Sequence, residues 1–239
     1  MMANHEDRHA EDRHSKDRHS KDWHSEDRHS KDWHSKDWHF YEPAQGHGLA
    51  HDPFNAIVGP RPIGWVSTEG ADGSINLAPY SFFNAFNYTP PIIGFSSVGE
   101  KDSLRNCRER GEFVWNLATR RIAEQMNETC AAVPYGRDEF DLSGLTKRPS
   151  RLVAPPRVAE SPVNFECKVT DIITLKSIAG VATGSFLVLG EVIAVHIARA
   201  FLKDGTFDTF NAGIILRAGG PSAYAAITQE TRFDMKRPK

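Results

Sequence analysis

The stretch "SSVGEKDSLR" gathers Ser96, Ser97, Gly99, Lys101, Asp102, Ser103 and Arg105 where an apolar run gives way to a helical one. A helix N-terminus offers unpaired N–H groups and a partial positive charge, so it suits a phosphate. Lys101 and Arg105 add charge at that junction, and Ser103 adds a hydroxyl. Upstream, Ser67 and Thr68 end one apolar run, and Asn76, Leu77 and Ala78 face them across the Asp72-Gly73 turn. Ser81 and Asn84 then flank the rings of Phe82 and Phe83. Together these parts suit a ligand with a planar polar ring at one end and a phosphate at the other. Backbone amides and Asn76 would bond the ring edge while apolar neighbours cover its faces. Each part also has an ordinary structural explanation. Asn76 fits a turn, Asp102 and Ser103 are good helix caps, and Lys101 with Arg105 fits a solvated surface pair. None of these motifs has the specificity of a Walker loop.

The elements that would position these residues are mostly strands. "AIVGPRPIGWVST" is apolar, with Pro60 and Pro62 marking a strand entry or edge. "PPIIGFSS" is a short continuous apolar run, as a strand covered on both faces would be. "GEFVWNLA" alternates Phe113, Trp115 and Leu117. "VNFECKVTDI" sends Val163, Phe165, Cys167 and Val169 one way and Asn164, Glu166, Lys168 and Thr170 the other. "GSFLVLGEVIAVHI" is the longest candidate, with Gly190 as an expected bulge or bend that lets it serve two sheets. Two helices are expected, one in "KDSLRNCRERG" opened by the Asp102-Ser103 pair and closed by Gly111, the other over Arg121 to Cys130. Residues 131–162 hold five prolines and read as a long surface excursion. A mainly β fold follows, a closed or partly open antiparallel barrel with a few short helices.

Composition divides the chain at His39. Residues 1–39 carry eight Lys/Arg, ten Asp/Glu, eight of the eleven His and three of the five Trp. From His9 they repeat every five residues, as in "HSKDW". That period matches neither helix nor strand, so no apolar face forms and disorder is expected. Spaced imidazoles could chelate metal loosely, and repeated Trp could dock on a partner. The composition favours a third origin, a short tandem repeat expanded in the coding DNA or a start site placed too early. The other 200 residues hold 21 basic and 21 acidic groups, which gives no electrostatic reason to expect nucleic acid or a membrane surface. No run approaches the length of a membrane span, and the N-terminus lacks the apolar core of a secretory signal. Cys107, Cys130 and Cys167 are odd in number and widely spaced, so neither a disulfide framework nor a metal site is expected, and a reducing cytoplasmic setting fits.

The run "HDPFNAIVGPRPIGWVSTEGADGSINLAPYSFFNAFNYTPPIIGFSS", then "KDSLRN", "GEFVWNLAT", "DEFDLSGLT", "PPRVAESPVNFEC", "GEVIAVHI" and "DGTFDT", resembles the flavin reductase-like, FMN-binding split-barrel family. That family includes flavoredoxins and the reductase components of two-component flavin monooxygenases. The resemblance spans residues 40–238, so residues 40–239 are expected to form one such domain. It implies a Greek-key split β-barrel that dimerises, with FMN near the subunit interface. Carried over, Ser67, Thr68, Asn76, Leu77 and Ala78 would line the isoalloxazine and ribityl chain, with Ser81, Phe82 and Phe83 along the same face. Ser97, Lys101, Asp102 and Ser103 would sit near the phosphate. His196 would lie on the open side of the flavin where the nicotinamide of NADH or NADPH enters; a half-buried strand histidine is its plain alternative. Arg217 and Tyr224 would close over the site, although "FNAGIILRAGG" departs from the family's wording. The implied activity is NAD(P)H:flavin oxidoreduction feeding a partner oxygenase. A flavoredoxin-like electron carrier serving another redox protein and a non-catalytic binding protein are the alternatives. No Gly-x-Gly-x-x-Gly fingerprint is present, so nicotinamide would dock on the flavin site itself.

Overall fold

The computed structural model describes residues 38–238, so the repeat expected to be disordered lies, apart from Trp38 and His39, outside the described residues. The chain divides into two compact units at Gly48. In the first, residues 38–48 carry a single 3-10 turn, Pro43–Gln45, and His39 Nε2 donates to the His47 carbonyl at 2.7 Å.

The second unit, from Leu49, holds the barrel. Its strands are β1 (Gly64–Glu69), β2 (Ile75–Tyr80), β3 (Phe83–Tyr88), β4 (Pro91–Val98), β5 (Glu112–Asn116), β6 (Lys147–Arg148), β7 (Arg157–Val158), β8 (Val163–Lys176) and β9 (Ala182–Ile197). Two short hairpins follow, β10 (Leu202–Lys203) with β11 (Thr206–Phe207) and β12 (Ile215–Arg217) with β13 (Tyr224–Ala226). The helices are α1 (Phe54–Ile57), α2 (Asp102–Arg110), α3 (Ala123–Glu128) and α4 (Glu139–Ser143). Seven strands form one antiparallel sheet in the order β2-β1-β5-β8-β9-β4-β3, so β2 and β3, consecutive in sequence, are its two edges. The corner at Ser81 and Phe82 brings those edges together, which makes the sheet a split barrel.

The ribbon of β8 and β9 spans both halves. Its register shifts at Glu166/Cys167, Val169/Asp171 and Thr174/Lys176, and bulges of this kind bend and twist a ribbon enough to curl it. Gly190 sits opposite Val169, beside one of these shifts. Its own contribution is room, because a Cβ there would meet the Phe113 ring at 2.3 Å.

Alternation sends residues to two cores. The inner one packs Val66, Tyr80, Ile93, Phe95, Leu104, Phe113, Cys167 and Val188, with α2 closing the barrel through Leu104 and Cys107. Tyr80 and Phe113 flank Phe95 at ring-centre distances of 4.6 and 5.6 Å. The outer core packs Trp65 and Leu77 against Ile122, Met126, Phe140, Leu145 and Val158. Residues 131–162 were expected as surface; instead they supply Phe140, Leu145 and Val158 to this outer core. Helix α2 also differs from expectation. Lys101 is its N-cap with no side-chain cap, Asp102 and Ser103 lie inside the first turn, and Gly111 closes it in the left-handed region, as expected.

The polar face of β8 is covered by the same excursion. Glu166 is fully buried, and its carboxylate accepts the N–H groups of Arg151 at 2.8 Å and Leu152 at 2.6 Å and bonds His196 Nε2 at 2.5 Å. Beside it, Asn116 Oδ1 accepts from Val158 N and from Asn164 Nδ2, both at 2.9 Å. Burial alone would push the Glu166 carboxyl up; the donors Arg151, His196 and Leu152 outweigh it and hold it below the usual carboxylate range. A depressed folded value gives stability that is present above the unfolded value of about 4.3 and is lost as pH falls through the folded one. Glu166→Gln is therefore expected to cost about 2–3 kcal/mol at pH 7 in urea unfolding. The gap should narrow in acid, where wild type is protonated too. A gap unchanged between neutral and acid pH would show that the carboxylate carries no charge in the fold.

Candidate functional site

One cavity of about 480 Å³ opens between the edge strand β2, the start of α2, the segment after α3 and the first residue of α4. Edge strands leave unpaired backbone groups, and this one is managed by Pro79, which has no N–H, and by Glu139, whose Oε2 accepts the Leu77 N–H at 2.9 Å. Asn76, Ala78, Pro79 and Tyr80 form one wall. Lys101, Asp102 and Ser103 form another, where the uncapped N-terminus of α2 leaves its first N–H groups without a side-chain partner. The two walls are tied by a bond from Asn76 Nδ2 to Ser103 Oγ at 2.8 Å. Tyr80 is buried, and burial pushes its phenol up to about 12, with the Ser103 hydroxyl opposing, so it stays neutral at ordinary pH.

The expected site residues separate into three groups. Asn76, Ala78, Lys101, Asp102 and Ser103 share the cavity. Ser67, Thr68, Leu77 and Ser97 are buried with partners of their own. Strand alternation places Ser67 and Thr68 on opposite faces: Ser67 Oγ donates to the Pro156 carbonyl on the outer side, and Thr68 Oγ1 accepts from Asn106 Nδ2 of α2 on the inner side. The Leu77 side chain belongs to the outer core, and Ser97 Oγ donates to the Gly99 carbonyl at 2.9 Å. The third group is the corner. Arg61, itself 8% exposed, donates Nε to the Ser81 carbonyl at 3.0 Å and Nη1 to the carbonyls of Asn55 and Val58, and lies 5.6 Å from the Phe82 ring centre. Phe83 stacks on Trp115 with ring planes 8° apart. Arg61 thus staples α1 to the junction of the two edge strands.

His196 is not among the residues lining the cavity; it lies on β9 opposite Asn164, held by Glu166. Arg217 is occupied by the carbonyls of Ala223 at 2.6 Å, Pro221 at 2.6 Å and Gly220 at 3.1 Å, 5.1 Å from the Tyr224 ring centre, so it organises its own hairpin turn. Sequence reasoning missed Glu139 and Thr129 to Val133 in the cavity and Arg61 under the corner. For Glu139 a signal existed: Asp138 caps α4 by accepting the Phe140 N–H, and Gly144 closes it, so a short helix with an acid at its first position was readable in "DEFDLSG".

The charges in the cavity are mixed. Glu100 pairs with Arg108, Asp102 lies in the first turn of α2 where the helix dipole favours it, and Lys101 is available to an anion. The residues present therefore fit an elongated ligand with a flat ring against Ala78, Pro79 and Tyr80 and an anionic group at Lys101, Ser103 and the α2 amides.

A flavin reductase like domain model matches residues 59–209. An uncharacterized protein of Halalkalibacterium halodurans is 37% identical over 156 residues, covering 63% of this chain and 74% of that protein. The structure of nitrilotriacetate monooxygenase component B from Bacillus cereus superposes with a TM-score of 0.70 at 30% identity, covering 76% of this chain and 90% of that one. That of 2-nitrobenzoate 2-nitroreductase NbaA from Pseudomonas fluorescens gives 0.68 at 29% identity, covering 77% and 88%. By the domain match across most of the barrel and by these relatives, the chain belongs to the flavin reductase-like family.

Proposed function

We propose that this chain is an FMN-binding oxidoreductase that accepts hydride from NADH or NADPH and passes reducing equivalents to a partner oxygenase or redox protein. The observation that carries this reading is the cavity itself, in which an uncapped helix N-terminus with Lys101 and Ser103 faces the Asn76–Tyr80 wall in a chain of this family. Similarity to a protein named as a monooxygenase component B supports the oxygenase as recipient. Bound FMN would supply the hydride-accepting chemistry. The chain's residues bind and orient. Lys101 and the first amides of α2 hold the phosphate, Asn76 fixes the Ser103 hydroxyl beside it, and Ala78, Pro79 and Tyr80 cover one ring face and exclude water there. Ser67, Thr68, Leu77 and Ser97 act at one remove in this reading, by fixing the strands that carry the wall.

A homodimer belongs to the same proposal. Phe86 and Tyr88 of the edge strand β3 and Ile178 at the β8–β9 turn are exposed, a costly arrangement for a lone barrel. Because His196 does not line its own chain's cavity, it would serve as nicotinamide-side group only toward the site of a second copy. Sedimentation equilibrium should return twice the chain mass, and Phe86→Asp should shift it toward one; a wild-type monomer would remove this part of the proposal.

The full chain with FMN, followed anaerobically by visible absorption, should bleach within seconds of adding NADH or NADPH, and the faster nucleotide identifies the donor. A bound flavin that stays oxidised with both would mark an electron carrier instead. Lys101→Ala should weaken FMN about tenfold and leave riboflavin, which lacks the phosphate, nearly unchanged. Equal losses for the two ligands would place the phosphate elsewhere.

A further inference from the structure

Three arginines gather over the polar face of β8 without a carboxylate to pair with. Arg148 and Arg157 are direct partners across the short ladder of β6 and β7, which sets like charges opposite one another. Arg151 joins them through the loop that Glu166 holds by its N–H. Among the described residues none of the three is in an ion pair. Glu166 itself is fully buried and spent on two backbone amides and His196. Burial first, then the Arg148 and Arg151 charges, work against the charge on Arg157, and Glu166 offsets them only in part.

Arg157 is also held in one orientation. Its Nε and Nη2 donate to the Pro149 carbonyl at 3.3 and 3.1 Å, and its Nη1 donates to Asn164 Oδ1 at 3.3 Å. A guanidinium carries five N–H groups in a plane, so one on each Nη remains for a ligand. Arg148 and Arg151 are exposed, and their side chains make no bond of their own, so they are free to close on the same ligand. One oriented guanidinium with two mobile ones beside it suits a phosphate, which accepts several such donors at once.

The location narrows which phosphate. Asn164, bonded by Arg157, is the β8 partner of His196, and Glu166 bonds both the Arg151 amide and His196. None of the three arginines lines the cavity that holds Lys101, so they form an anion site apart from it. The chain has no Gly-x-Gly-x-x-Gly loop to take the phosphates of a nicotinamide dinucleotide. We propose that Arg148, Arg151 and Arg157 bind the phosphate groups of that reducing nucleotide, whose nicotinamide reaches the cavity that His196 serves. This assignment rests on the NAD(P)H reading above.

The test uses the full chain with FMN added and two probes that carry no nicotinamide, ADP-ribose and 2′-phospho-ADP-ribose, titrated by calorimetry. Replacing both exposed arginines, Arg148→Ser with Arg151→Ser, should weaken binding about tenfold or more. FMN, read as held at Lys101, should bind this variant as it binds wild type. An equal loss for both probes assigns the arginines to the pyrophosphate. A loss confined to the second probe assigns them to the 2′-phosphate, and NADPH should then be the better donor. Unchanged probe affinity in the variant would overturn the assignment, as would a wild type that binds neither probe. Anaerobic bleaching of the same samples by NADH and NADPH judges the parent reading separately. Probes bound through the arginines with no bleaching would sink the reductase and leave a nucleotide site. Bleaching with the same nucleotide dependence in variant and wild type would sink the assignment alone.

Discussion

The buried carboxylate of Glu166 holds the excursion of residues 147–158 against the barrel, and most of what lies outside the sheet depends on that attachment. Two consecutive backbone amides, Arg151 and Leu152, donate to one side chain that is fully buried, so the loop must settle in one place. Asn116 repeats the device one strand away, bridging Val158 and Asn164. These polar groups are paired, which is what makes their burial tolerable. With the excursion pinned, Phe140, Leu145 and Val158 cover the indole of Trp65, whose Nε1 donates to Thr129 Oγ1 at 3.0 Å. The start of α4 is thereby fixed beside β2, and Glu139 arrives at the cavity as a consequence.

The barrel supplies rigidity and the cavity is built at its edge. Bulges in the β8–β9 ribbon curl the sheet, aromatic rings fill its inside, and α2 closes the end. What is left for a ligand is the margin where a strand has no neighbour and a helix has no cap. Both are places where backbone groups lack partners, so under the proposed reading the features that are liabilities for stability become the ones that bind. Pro79 and Glu139 show how the liability is limited, one by having no donor and the other by occupying one.

Much of the sheet was legible in the sequence because alternation is a local signal. The runs at Pro90, Gly111, Val163 and Gly184 became strands, and the Asp72-Gly73 pair turned where it had to, with Ser74 bonded back to Asp72. The faces were harder to read. Ser67 and Thr68 stand side by side in sequence, but a pleated strand sends neighbours to opposite sides, so their hydroxyls meet different partners. Asp102 and Ser103 look like caps, yet the Lys101 backbone takes that role, and Ser103 is free to meet Asn76. The prolines of residues 131–162 read as surface because proline signals irregular backbone. Irregular backbone can still bury side chains when a carboxylate such as Glu166 satisfies its amides. Nothing local to residues 151 and 152 announces a partner fourteen or fifteen residues away on β8.

The arrangement also explains why no acid–base pair needs to appear in the cavity. If the ligand brings the redox chemistry, the protein's task is to hold a flat body in one orientation, and orientation needs unlike groups at separated points. A cavity lined by cations alone would bind any anion in any direction. Here Lys101 and the α2 amides favour negative charge, while the buried Glu139 carboxylate in the same wall opposes it. Under the proposed reading, selectivity would then come from the carboxylate as much as from the lysine.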